Sequence, residues 1–253
     1  MHVYDSQFFE YINAGARRSA HAVISVIVRE FAVTSVVDFG CGQGAWMAEW
    51  RALGVMDVTG VDGSYVDRTR LLVPSDRFVA HDLSRPIRLG RRFDVVQSAE
   101  VAEHLPEDAA RTFVDNLAAH GDVVLFSAAA PGQGGEHHVN EQPYEYWHRL
   151  FAAHGFELLD FVRPQIVSDR SVEPWYRYNT LVFVQGHLLP ELSAAARGSL
   201  VPLGQKVPDV SPALYRLRKR LIGCLPVWAS TAIAVVKKHW HVALRRHFAI
   251  SAR

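Results

Sequence analysis

The segment VVDFGCGQGAW (residues 36–46) ends an apolar run in Asp38 and then sets glycines at Gly40, Gly42 and Gly44. Glycines placed behind a buried strand let the backbone come close to a ligand at the carboxyl edge of a parallel sheet. The spacing is G-x-G-x-G rather than the dinucleotide G-x-G-x-x-G, and the Asp38 carboxylate would repel a phosphate while favouring a sulfonium or an ammonium. Two further carboxylates follow at matching places. GVDG sets Asp62 and Gly63 past a second apolar run, where a carboxylate can take both hydroxyls of a ribose, and AHDL sets Asp82 and Leu83 past a third, where Asp82 can accept an adenine amino group.

These carboxylates need strands to carry them and helices to follow. SVVDF (35–39), DVTGV (57–61), RFVA (77–80), FDVVQS (93–98) and DVVLFSA (122–128) are β-branched or aromatic-rich and bounded by turn residues, as buried strands are. GAWMAEWRAL and PEDAARTFVDNLAAH between them read as helices; the second opens on Pro106 with two acids and stops before Gly121. Two more strands, FELLDFV (156–162) and NTLVFVQ (179–185), are separated by a stretch with no clear helix, which predicts an antiparallel end to a mostly parallel sheet.

At this point the chain resembles the class I S-adenosylmethionine-dependent methyltransferases. VVDFGCGQGAW, GVDG, AHDL and FDVVQSAEVAEHLPE are similar to four spaced motifs of that family, the last in the form of its UbiE/UbiG-like branch. The resemblance covers roughly residues 30–130. It implies a Rossmann-like, seven-stranded α/β sheet and S-adenosyl-L-methionine as cofactor. Asp38 and the glycine loop would hold the methionine end, Asp62 the ribose and Asp82 with Leu83 the adenine, with Ser98 to Glu100 as the floor beside the sulfonium. Metal-dependent relatives carry an Asp at the end of the fourth strand; Ser98 and Ala99 stand there, which implies an enzyme without a metal.

SAAAPGQGGEHHVNEQPYEYWHRLF (127–151) follows the fifth strand, where acceptor-facing loops sit, and resembles a bacterial subgroup of methyltransferases with a PGQGG…HVNEQP…YW signature. Its glycines suggest a loop mobile without ligand. His137 or His138 is a candidate general base, as is His104 in AEVAEHLP, against the simpler reading of His104 as a residue that fixes the loop. Neighbouring histidines on an extended chain face opposite ways, which argues against a metal held by that pair. Glu141, Tyr144 and Trp147 are candidates for the acceptor, and in EPWYRYN (173–179) so are Trp175 and Tyr178, although aromatic residues beside a strand are often core. Near the N-terminus, Tyr4, Tyr11 and Arg18 belong either to a lid that meets the cofactor carboxylate or to an amphipathic helix packed on the sheet.

With 253 residues, 49% of them hydrophobic, the chain suits one large domain with an extension, drawn here as 1–190 and 191–253. The net charge of +1 hides an asymmetry: nine Lys or Arg and no acid follow Asp209, so residues 1–209 carry −8. From 226 on, Ile233, Val236, Trp240, Leu244 and Phe248 fall on one helical face and Lys238, Arg245 and Arg246 opposite. Such a helix could dock on the body or on a second subunit in a homodimer, adhere to an anionic membrane, or touch nucleic acid. Two cysteines, no leader pattern and no long apolar run point to the cytoplasm. The function expected is O-methylation of a small-molecule hydroxyl, on a saccharide or a specialised metabolite. The rivals are carboxylate or nitrogen methylation, RNA methylation, and a non-catalytic S-adenosylmethionine-binding protein. The absence of an NPPY-type sequence after the fourth strand counts against amino methylation of bases.

Overall fold

The computed structural model describes residues 6–226, 228–229 and 231–233, with side chains from residue 15 onward. Its frame is a single sheet built from β1 (Ser35–Phe39), β2 (Asp57–Asp62), β3 (Phe78–Ala80), β4 (Val95–Ala99), β5 (Val123–Ser127), β6 (Phe156–Leu159), β7 (Leu181–Gln185) and β8 (Leu200–Val201). The order is β3-β2-β1-β4-β5-β7-β6-β8. β1 to β5 pair in parallel, whereas β7 runs antiparallel to β5 and β6, and β8 antiparallel to β6. The strand count is eight rather than the expected seven, because Leu200 and Val201, within a stretch expected as linker, pair with Leu159 and Leu158.

The helices are α1 (Ser6–Glu30), α2 (Ala45–Ala52), α3 (Ala110–His120), α4 (Tyr144–Ala152), α5 (Arg163–Ile166), α6 (Pro174–Asn179), α7 (Ala194–Arg197) and α8 (Ala213–Gly223). Two of them, α5 and α6, occupy the stretch that lacks a readable helix period, since four and six residues are too short to show one. Apolar side chains pack on both faces of the sheet. Ile24, Ile27 and Trp50 of α1 and α2 cover one face, and Phe113, Trp147 and Phe151 of α3 and α4 cover the other. β1, β4 and β5 at the centre of the sheet are buried almost throughout, as strands covered on both faces must be.

The amphipathic-helix reading of the N-terminal segment holds for residues 15–30. Ala16, Ala20, Val23 and Ile24 sink into the core, and Arg17 and His21 meet Glu49 of α2. The stretch after 190 stays on the same body, with Leu192, Ala196 and Val207 buried. Of the amphipathic tail face, Ile233 alone is described and is exposed; Val236, Trp240, Leu244, Phe248, Lys238, Arg245 and Arg246 lie outside the described residues. No described helix is long and apolar enough to cross a membrane.

Candidate active site

Strand order reverses between β1 and β4, and in open α/β sheets that is where a crevice opens beyond the carboxyl ends of the strands. A cleft of about 850 Å³ opens there, lined by Gly40, Asp62, Gly63, Asp82, Leu83 and Glu100, all expected at the cofactor, and also by Tyr65, Val101 and His104. The glycine loop is built as the spacing implies. Gly40, Gly42 and Gly44 have φ of 86°, 52° and 82°, and a Cβ on Gly40 would stand 2.2 Å from Val101. Gly42 N donates to Asp62 Oδ2 at 2.7 Å and Gly63 N to Oδ1 at 2.7 Å, so the second carboxylate is clamped by the loop of the first. Tyr65 Oη donates to the same Oδ1, standing in the part of a hydroxyl donor. Tyr65 is invisible to strand-and-glycine reasoning; its one signal is a phenol three residues after Asp62.

Asp38 is buried beneath this loop, and burial, aided by the Asp62 charge, pushes it up to about 7. Asp82 is exposed; Ser84 donates to it through Oγ and N, which with Arg85 holds it below its usual range. Two expected cofactor residues lie elsewhere. Ser98 is fully buried within β4 and does not line the cleft, since β4 is covered on both faces and the residues just past its end, Glu100 and Val101, are the ones that reach the rim. Arg18 lies on the exposed side of α1 and lines a separate hollow with His21, Gln165 and Asp169. Tyr4 and the side chain of Tyr11 lie outside the described residues.

Glu100 has φ of 56°, in the left-handed region that side chains rarely adopt, and non-local contacts hold it there. Its N donates to Ser127, and its carboxylate accepts from Gln133 Nε2 at 2.8 Å and Asn179 Nδ2 at 3.2 Å. Burial raises its pKa, with Gln133 and Asn179 opposing. Asn179 is the centre of a wider network: Nδ2 donates to Gln133 Oε1, and Tyr144 Oη donates to Asn179 Oδ1 and to the Tyr178 carbonyl. Tyr144 and Tyr178, expected to touch the acceptor, are therefore buried braces behind Glu100, though Tyr144 also forms part of the wall of the neighbouring groove. Trp147 is a core residue, packed against Phe126 and Tyr146, because the apolar face of α4 turns it onto the sheet. Trp175 is partly exposed and packs edge-on to Tyr176, away from both cavities.

That second cavity, about 700 Å³, lies between the loop after β5 and α8, with His138, Glu141, Lys206 and Arg220 among its lining residues. Its loop is stitched rather than loose. Gly132 N and Gly134 N donate to the two oxygens of Glu141 at 2.8 and 2.7 Å, and Arg218 donates to the Gln133 carbonyl. Gly132 is present because a Cβ there would strike the Lys219 carbonyl at 2.0 Å. Glu141, expected to bind acceptor, is thus the clamp of the loop, and its Oε1 also takes His138 Nδ1 at 2.7 Å. The glycines serve close packing: a Cβ on Gly135 would stand 2.1 Å from His138 Nε2.

The two neighbouring histidines separate because the chain turns at His137 rather than running extended. His138 turns inward, and His137, at φ 57°, is exposed and offers its carbonyl to His104 Nδ1 at 3.3 Å. The rings of His104 and His138 meet edge-to-face with centroids 4.9 Å apart. Desolvation, with His138 beside it, pushes His104 down to about 4, which keeps it neutral near pH 7. The histidines that come together are 104 and 138, not 137 and 138. Buried Glu103 lies with them, within 4.8 Å by ligand-capable atoms.

A doubly covered sheet with a glycine loop, a carboxylate at the end of β2 and a cleft at the switch point defines an enzyme of the class I methyltransferase type, with S-adenosyl-L-methionine as cofactor. A family model described as a methyltransferase domain matches residues 8–161, more than half of the chain, and the chain belongs to that family. Solved structures share the fold: Streptomyces venezuelae DesVI (16% identity, 74% of this chain and 100% of that one, TM-score 0.55); the Synechocystis magnesium protoporphyrin IX methyltransferase with bound SAM (18%, 74% and 87%, 0.51); and the sugar N-methyltransferase KedS8 from Streptoalloteichus (17%, 73% and 96%, 0.51). No curated protein sequence matches the chain.

Proposed function

We propose that this enzyme methylates the hydroxyl of a small molecule, a saccharide or specialised metabolite carrying a negative group, within the UbiE/UbiG-like branch that its fourth motif resembles. The observation that carries the reading is the position of the His104–His138 pair. His104 lines the cofactor cleft and His138 lines the groove, so the pair stands between the two cavities. A hydroxyl seated there would lose its proton as its oxygen attacks the methyl carbon. The C–O bond forms while the C–S pair returns to sulfur, leaving S-adenosylhomocysteine. Methyl transfer of this kind draws mainly on positioning and water exclusion. His138 is oriented for proton handling by Glu141, whereas the exposed His137 supplies only its carbonyl. Lys206 and Arg220 line the groove with no acidic partner among the described residues, which favours an anionic acceptor.

Nitrogen methylation of an amino sugar is the second reading, favoured by the likeness to KedS8, a sugar N-methyltransferase. Methyl-labelled cofactor and a panel of acidic saccharides, amino sugars and phenols separate the two. An alkali-stable ether on a hydroxyl acceptor supports the proposal; label confined to amines, or to alkali-labile esters, overturns it.

A further inference from the structure

We propose that the outer face of α8, a leucine stripe edged by arginines, is a docking surface for an anionic lipid membrane. A surface helix ordinarily turns its leucines to the core and its charges to water. α8 does the reverse. Tyr215, Lys219 and Gly223, one turn apart, face the body. The Tyr215 ring meets Tyr178 with centroids 5.0 Å apart, Lys219 Nζ donates to Asp209 Oδ2 at 2.6 Å, and a Cβ on Gly223 would stand 3.5 Å from Gly132 Cα. Lys219 is buried, while Leu214, Leu217 and Leu221 are 82%, 52% and 64% exposed. At i, i+3 and i+7 these three leucines form a single stripe. Past the helix end, Leu225 and Trp228 add two more exposed apolar side chains. The helix is anchored through its opposite face, so the leucines have no core to turn into, and exposed apolar side chains set side by side in this way mark a binding surface.

The charges around the stripe decide what it meets. By the helix period Arg216 and Arg220 fall along one edge and Arg218 along the other, and after Asp209 the chain carries nine Lys or Arg and no acid. A second copy pairing through α8 would set arginine against arginine with no carboxylate on that helix to answer them, which costs a self-contact dearly. An anionic bilayer answers both parts of the face. Headgroup phosphates attract the arginine edges, while the leucines and Trp228 enter the boundary between headgroups and acyl chains, with the helix lying in the plane of the surface. Arg220 and Leu225 also line the acceptor groove, so docking sets that groove beside the lipid, where an acceptor carrying a lipid anchor would enter. This last consequence rests on the methyltransferase reading; the docking itself does not.

The test is flotation of the full-length protein with vesicles of phosphatidylcholine alone or of phosphatidylcholine mixed with phosphatidylglycerol. Wild-type protein should float with the mixed vesicles and not with phosphatidylcholine alone, and added salt should weaken the binding. Leu217→Ser combined with Leu221→Ser should weaken it about tenfold or more. Tm and S-adenosylhomocysteine affinity should stay unchanged in that variant, because both side chains already stand in water. Arg220→Gln should weaken it about fivefold, the effect of one charge near an anionic surface. Wild-type protein that does not float with the mixed vesicles would overturn the proposal. Equal flotation of the double leucine variant would overturn it as well and put the lipid contact elsewhere in the chain. A dimer in place of vesicle binding, dissolved by the two leucine changes, would make the face a contact between copies instead. Loss of S-adenosylhomocysteine binding by the wild-type chain would count against the methyltransferase reading alone, and flotation decides the docking in either case.

Discussion

Asp62 is the residue on which the cofactor cleft turns, because its two oxygens already gather the donors of two loops and a phenol. Asp62→Ala should weaken S-adenosylhomocysteine by about 1–3 kcal/mol, the usual cost of stranding buried donors; unchanged affinity by calorimetry would move the ribose elsewhere. Asp38 makes a pH prediction. Its folded pKa of about 7 lies above the ordinary 3.8, so between those values the folded chain holds a proton that the unfolded chain has lost. Its contribution to stability is therefore fully present below about 3.8 and fades as pH rises to about 7. A cationic ligand beside Asp38 favours the ionised form, so cofactor binding below pH 7 should release a proton and the ligand-induced rise in Tm should be larger at pH 8 than at pH 5.5. Calorimetry in buffers of different ionisation enthalpy would show the proton; its absence would place the sulfonium and ammonium away from Asp38.

At the scale of elements, the loop after β5 is a rigid bracket whose geometry delivers His138. Gly135→Ala must displace that ring, since the new Cβ would stand 2.1 Å from Nε2. On the proposed reading, in which His138 takes part in proton transfer, turnover should fall by roughly 10²-fold or more with cofactor affinity retained. Equal loss of both would mean that the loop supports the cofactor cleft instead. Glu141→Ala should speed amide hydrogen exchange across 132–139 by removing the acceptor of two loop amides. Protection that does not change would show that the contacts of Gly132 with α8 suffice to hold the bracket.

For the whole molecule, the question is where the folded body ends. β8 closes the sheet edge, and Leu192, Ala196 and Val207 are buried beyond residue 190. A chain ended at 190 exposes the apolar surface beneath them, and burying a Leu or Val side chain is worth about 1.5–3 kcal/mol each. Such a chain should melt well below the full-length protein in a thermal scan. An unchanged Tm would restore 190 as the domain boundary. The groove would also lose one wall, since Asp209 and the α8 residues Arg216, Lys219, Arg220 and Ile222 line it.

The amino-acid sequence alone determined β1 to β5, the glycine loop and the placing of the Asp62 and Asp82 carboxylates at the ends of β2 and β3 beside the cleft. Each of these is a local device, in which a β-branched run, a glycine needing positive φ and an acid at a strand end lie within a few residues of one another. It also marked 127–151 as the segment with chemistry. Tertiary structure alone decided the rest, because the remaining partners are distant in the chain. Asn179 and Gln133 reach Glu100 from 79 and 33 residues away. Trp147 and Tyr178 carry the same aromatic signature whether they face a ligand or a core, and packing turned both inward. Glu103, His104 and His138 read as a loop signature and a separate histidine pair until β4 and β5 are laid side by side. That pairing sets their C-terminal loops against each other and brings two histidines and an acid to one point.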